Sequence, residues 1–178
     1  MTDIRIEHLG DDRLSAAPKL VGRVFPHEGL PERFSFWAIA NPRSPLARKL
    51  MAWHGITEFL DFWGAFDCES GTLRGTTGLS SYARDAAEAV WLAWSCVAPE
   101  VRRQGIGSHL LDFSIAQAKH TGRKYLRLYT SSQSKQAAAQ ALYESRGLKI
   151  VRIKWRAFYT TIYRELSLDQ VPNMGTDP

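Results

Sequence analysis

The chain has 178 residues and a mass of 20.1 kDa, the size of one ordinary domain. Hydrophobic residues make up 44% and charged residues 23%, close to globular averages, which excludes disordered, collagen-like and coiled-coil chains. Lys and Arg number 23 against 18 Asp and Glu, giving +5 and a pI near 9.4, which suits an anionic partner without choosing between nucleic acid, a membrane surface and a phosphorylated small molecule.

Residues 2–9 alternate, with Ile4 and Ile6 around Arg5, and read as a first strand with one buried face. Asp11 or Asp12 can cap a helix whose stripe is Leu14, Leu20, Val21 and Val24, ending at Pro26. From Pro26 to about Phe62 the chain is rich in proline and aromatics. Two short helices are expected there, near residues 31–40 and 45–54, because proline is tolerated in a first turn. So long an aromatic insert suits a lid or pocket wall, with Trp37, Trp53 and Trp63 as candidate substrate-binding residues. Residues 62–68 and 72–82 read as a hairpin. Residues 88–97 (EAVWLAWSCV) are apolar on both faces, so this strand should be central in its sheet.

Pro99 stops that strand, and a helix is expected from Gln104 to His120, closed by Gly122. Then come a strand at 125–130, an Ala-rich helix at 135–146 closed by Gly147, and strands at 148–155 and 157–166. The plan is mixed α+β rather than a regular βαβ repeat. A single domain over residues 1–170 with a frayed tail at 171–178 is expected.

The two cysteines, Cys68 and Cys96, form no CxxC pair, and no two of the five histidines share i, i+4 spacing, so neither a disulfide framework nor a metal site is expected. The first nine residues carry Asp3, Arg5 and Glu7, unlike a signal peptide, and no run of 18 apolar residues suggests a membrane span. The expectation is a cytoplasmic protein. The basic residues are dispersed rather than gathered with aromatics on one face, which argues against nucleic acid.

Chemistry concentrates in Val97–Leu111 (VAPEVRRQGIGSHLL). A buried strand runs through a short turn bearing Arg102 and Arg103 into a helix that opens at Gln104-Gly105-Ile106-Gly107-Ser108. A helix N-terminus offers unpaired N–H donors and the positive end of the peptide dipoles. Glycines let a ligand approach the backbone, and two guanidinium forks add charge, which makes a diphosphate cradle. It is not a P-loop, since no Lys follows the second glycine, nor a GxGxxG fingerprint, since Leu110 stands where the third glycine would be.

Arg102-x-x-Gly105-x-Gly107, led by Val97-x-Pro99, resembles the R/Q-x-x-G-x-G/A signature of the GNAT-type N-acetyltransferase superfamily. Leu126–Ser131 followed by AAAQALYESRGL (residues 137–148) resembles that family's next strand and helix. The likeness covers residues 72–150 well; residues 10–60 match in layout only. It implies a central twisted mixed sheet of about six or seven strands flanked by about four helices, with strands four and five splayed around acetyl-CoA as acyl donor. It implies the diphosphate on Arg102, Arg103, Gln104, Gly105, Ile106, Gly107 and Ser108. The pantetheine would lie along Cys96, Val97 and Ala98, where the amide of Cys96 or Val97 polarises the thioester carbonyl. Gln136, in place of the family's more usual Asn, would also meet the pantetheine. Tyr143 takes the general-acid position, with Glu88 as candidate base and Asp67 and Glu69 as rivals. His109 reads as a surface or packing residue. An acyl-cysteine route through Cys96 is disfavoured by its apolar strand, so direct transfer in a ternary complex is expected. The expected acceptor is the primary amine of a small metabolite. The alternatives are a protein or peptide N-acetyltransferase and a non-catalytic acyl-CoA-binding module. A homodimer through the strands after Leu148 is also expected by this resemblance.

Overall fold

The structure is a computed structural model that describes residues 3–10, 16–25, 37–38, 41, 44–133, 136–155 and 159–171. The elements in chain order are β1 (Ile4–His8), α1 (Ala17–Val24), α2 (Pro45–Trp53), β2 (Ile56–Asp67), β3 (Leu73–Tyr82), β4 (Ala89–Val97), α3 (Ile106–His120), β5 (Tyr125–Ser131), α4 (Ala137–Ser145), β6 (Lys149–Trp155) and β7 (Thr160–Ser167). Seven strands form one sheet in the order β1-β2-β3-β4-β5-β7-β6. Every neighbouring pair is antiparallel except β4 and β5, which are parallel. The mixed α+β plan is therefore as expected, and the apolar strand β4 is the fourth of seven.

Local chemistry explains the element ends. α2 opens with Ser44 as N-cap, its hydroxyl accepting from the Ala47 N–H, and with Pro45 at its first position, where no N–H is needed. Gly122 and Gly147 follow α3 and α4 at φ +69° and +79°, the left-handed stop that favours glycine. Two expectations change. β2 begins at Ile56, six residues before the expected start, because register shifts at Ile56/Glu58 and Phe59/Asp61 break the alternation that marks a strand in sequence. The helix expected near residues 31–40 lies mostly outside the described residues.

The core has two clusters. One packs α1 (Leu20, Val21) and the start of α3 (Ile106, Leu110) on Phe62, Phe66 and Cys96. The other packs the rest of α3 (Leu111, Ile115, Ala118) on Trp63, Leu79, Val90, Leu126, Leu128 and Leu166. A buried hydrogen bond of 2.7 Å between the Thr77 and Ser114 hydroxyls fixes α3 against β3. Asp112 on α3 forms an ion pair with Arg146, just past α4. No helix among the described residues is long and apolar enough to cross a membrane.

Candidate active site

β4 and β5 pair over only three positions, Ala89↔Tyr125, Val90↔Leu126 and Trp91↔Arg127. Beyond them the two strands separate, β4 running on to Val97 and β5 to Ser131. The separation has a visible cause. Between Gly78↔Ala93 and Thr76↔Cys96, β4 spends three steps against two in β3, a bulge that carries Trp94 at φ +48°. A bulky residue in the left-handed region is strained, and such strain persists where surrounding structure holds it. Trp94 is held edge-to-face by Phe25, their ring centroids 6.1 Å apart.

Backbone direction at the open end follows from pairing. The Ala98 N–H donates to the Arg74 carbonyl of the β3 side at 2.8 Å. Cys96 pairs with Thr76 in the same register, so Val97 between them turns its N–H and C=O the other way, into the gap. Of Cys96 and Val97, the two residues expected to offer an amide there, Val97 is the one whose N–H the register turns into the gap. Its carbonyl accepts from Arg102 Nε at 3.3 Å.

The chain then enters α3 through Arg103 at φ +62° and Gly105 at φ +86°. α3 has no side-chain cap and no acid in its first turn, so its first N–H groups and dipole are open to an anion. A Cβ at Gly105 would meet nothing within 4 Å, and one at Gly107 would only touch Leu142 and Val97 side chains at 3.7 Å. Neither glycine is therefore demanded by close packing; the surface they leave bare is free for a ligand. Arg102 and Arg103 are exposed, Gln104, Gly107 and Ser108 half-buried, and Ile106 anchors the turn in the core. On the far wall, Thr130 in the separated part of β5 has a buried hydroxyl with no partner. Gln136 is the N-cap residue of α4, its N–H donating to the Gln133 carbonyl at 2.8 Å.

Tyr143 on α4 packs into the α3 core cluster. Burial pushes its hydroxyl up to about 12, against the pull of the Arg164 charge, while the nearby Cys96 pushes the same way as burial. The phenol is thus a held proton at neutral pH. Cys96 is buried, with Sγ 3.3 Å from the Thr76 hydroxyl, and burial pushes its thiol up to about 11. A neutral, buried thiol is a poor nucleophile.

Glu88, the candidate base, lies away from the open end of the gap. It stands just before β4 at the closed end of the gap, roughly 25 Å of extended strand from Cys96. Its carboxylate is held by Arg127 Nη2, whose Nε and Nη1 also bind Glu165 and Asp85, at 2.8 and 2.7 Å. Glu88 belongs to a clamp that fastens β4, β5 and β7 together and does not reach the cleft. Of its rivals, Asp67 accepts from the Ser70 amide and from Arg74, and those bonds hold its carboxyl below the usual range, the wrong direction for a base. Glu69 sits in the exposed β2–β3 turn, and His109 is exposed in the first turn of α3.

The three tryptophans are not alike. Trp63 is 6% exposed and meets Phe113 of α3 edge-to-face at 5.3 Å, so it is core rather than pocket wall. Trp53 is 83% exposed at the end of α2. Trp37 is partly exposed, and its carbonyl accepts from Asn41 Nδ2 at 2.8 Å. Sequence reading missed Arg164, a buried arginine on β7. The signal was present: Ile162, Arg164 and Leu166 share one face of a strand, so a cation there points inward.

A model of the acetyltransferase (GNAT) family matches residues 27–148. The chain belongs to the GNAT acetyltransferase family. Many solved structures share the fold, the following three among them. The ribosomal-protein-S18-alanine N-acetyltransferase from Escherichia coli is 20% identical, with a TM-score of 0.69 over 98% of this chain and 100% of that one. The structure of yncA from Salmonella typhimurium, with its cofactor acetyl-CoA, is 16% identical, with a TM-score of 0.65 over 98% and 99%. Arabidopsis thaliana NAA60, in complex with a bisubstrate analogue, is 14% identical, with a TM-score of 0.68 over 93% and 98%. No curated protein matches the sequence. Among the described residues no group of three His, Cys, Asp or Glu side chains is placed to hold a metal ion.

Proposed function

We propose that this GNAT-family protein is an acetyl-CoA-dependent N-acetyltransferase that acts on a primary amine by direct attack in a ternary complex. The observation that carries the reading is the separation of β4 from β5 beyond three paired positions, opening beside an uncapped α3 N-terminus flanked by two bare glycines. The inward-turned Val97 amide gives the gap a polar edge, which fits the amides of a pantetheine arm.

Acetyl-CoA, when bound, supplies an acetyl group activated as a thioester. The protein's residues do the rest. The amides of residues 105–108 and the guanidinium groups of Arg102 and Arg103 hold the diphosphate. For this, Arg102 leaves the Val97 carbonyl. The Val97 N–H serves as donor to a carbonyl oxygen that gains negative charge. Tyr143 keeps its proton at neutral pH and gives it to the departing sulfur, while the proton of the attacking amine passes to water, from which Tyr143 is reprotonated. The raised thiol of Cys96 favours direct transfer over an acyl-cysteine.

The acceptor in this proposal is a small-molecule amine. A protein or peptide amine is the second reading, favoured by the S18-alanine acetyltransferase among the structural neighbours. Free-CoA release measured across amines, amino acids, aminoglycosides and short peptides, with mass spectrometry of the product, decides between them. Acetylation of peptides alone would replace the first reading, and turnover with none of the panel would favour a non-catalytic binding module.

A further inference from the structure

Arg164 is 5% exposed, and the structure gives it no carboxylate among the described residues. Its Nε donates to Gln140 Oε1 at 3.0 Å and its Nη1 to the Leu148 carbonyl at 2.8 Å; both acceptors are neutral. The part-buried Arg74, Arg127 and Arg146 each carry at least one carboxylate. A buried cation without a counter-charge carries a desolvation penalty of several kcal/mol. Nη2 has no protein partner among the described residues.

Arg164 lies at the floor of an open groove of about 480 Å³ between α4 and β7, with the exposed Ser132, Ala137, Ala141 and Glu144 and the half-buried Gln140 among its other lining residues. None of residues 96–108 lines it, nor does Tyr143, although the Arg164 charge reaches the Tyr143 hydroxyl from behind α4. α4 begins at this groove with Ala137. The helix has no side-chain cap and no acid in its first turn, so its positive end adds to the field of Arg164. Glu144 is exposed, where water screens its charge.

We propose that this groove is a second ligand site that takes a small carboxylate, bound through the free edge of the Arg164 guanidinium. One guanidinium, with a carboxylate elsewhere on the same lining, matches a monoanion better than a phosphate dianion. A ligand there bears on the reaction helix. Gln140 accepts from Arg164 and donates through Nε2 to the Ser131 carbonyl at 3.1 Å, and Tyr143 follows three residues later in α4. The site rests on ligand binding alone and does not depend on acetyl transfer.

The test is a titration of propionate into the 15N-labelled protein, followed by amide chemical shifts at constant ionic strength, with inorganic phosphate as the comparison anion. Saturable shifts are expected at residues 132–133, 136–141 and 162–164, with a dissociation constant below roughly 100 mM, the strength of one charge-assisted pair. They should weaken at least about tenfold in Arg164→Gln, which loses that pair. Ala141→Leu fills the groove and keeps the charge, so it should also abolish them; it decides the matter if Arg164→Gln does not fold. The proposal is overturned by shifts that never saturate, by unchanged binding in Ala141→Leu, by phosphate binding more tightly than propionate, or by shifts confined to residues 102–108.

Discussion

Asp112 of α3 and Arg146 beyond α4 meet fork to fork, Nε to Oδ1 at 2.7 Å and Nη2 to Oδ2 at 2.9 Å. The pair joins α3, whose N-terminus is the proposed diphosphate cradle, to the end of the helix that carries Tyr143. Both side chains are about one-third exposed, so water screens the attraction. A double-mutant cycle with Asp112→Asn and Arg146→Gln should give a coupling of about 0.5–1 kcal/mol in urea unfolding. A coupling indistinguishable from zero would mean that the two helices are held by apolar packing alone.

The two glycines of the cradle should separate ligand binding from folding. Gly107→Ala adds a methyl in ordinary contact inside a helix, which should leave stability unchanged or raise it by up to about 1 kcal/mol. The same methyl stands where the ligand approaches, so acetyl-CoA affinity should fall. Gly105→Ala has space but must hold φ +86°, at a cost of about 1–2 kcal/mol. Calorimetric titration with thermal melts checks both; a Gly107→Ala protein that binds normally would show that the bare backbone is not the contact surface.

Replacing Arg102 and Arg103 together by Ala should weaken acetyl-CoA binding by about 2–4 kcal/mol through two lost charge-assisted contacts. Both side chains are exposed, so the melting temperature should hardly move. Equal affinity in wild type and double variant would remove the diphosphate from this turn.

Tyr143→Phe should lower kcat by on the order of 100-fold or more, with acetyl-CoA affinity within a factor of about two. Because the phenol is held up at about 12, the wild-type rate should rise as the amine loses its proton and show no falling limb up to pH 10. A descending limb near pH 8 would assign the acid to another group.

Cys96 and Tyr143 also set an alkaline limit on stability. Both groups hold their protons more tightly when folded: the thiol at about 11 against an ordinary 9.0, the phenol at about 12 against 10.0. Their contribution is complete below the unfolded values and is lost as pH rises through the folded ones. Unfolding free energy should therefore decline between about pH 9 and 11 by roughly 2 kcal/mol for the thiol alone. Cys96→Ala should show a shallower decline over that interval; an identical slope would show that the thiol is not the group titrating.

Much of the cleft was legible because the residues that build it are local. Apolar runs on both faces placed β4 at the centre of the sheet, and the Arg-x-x-Gly-x-Gly spacing marked the turn into α3. What depended on pairing was not legible. Glu88 reads as a carboxylate on the right strand, and only the register shows it at the closed end, tied to Arg127. Trp63 was expected on a strand but read as a pocket wall, and only packing shows it facing Phe113 in the core. The bulge at Trp94 leaves no mark in the residue pattern, because a twist of one peptide does not alter which side chains are apolar. Arg164 interrupts the apolar face of Ile162 and Leu166, a signal that went unread, and it is the one buried charged residue among the described residues.

The three-position seam between β4 and β5 makes the sheet mechanically two plates, one of four strands and one of three, joined along a short hinge. Arg127 rivets that hinge at one end, and α3 spans it as a strut. The line of least backbone cohesion in the molecule then runs along the slot itself, so breathing of the two plates would widen or narrow the slot before it disturbed either core.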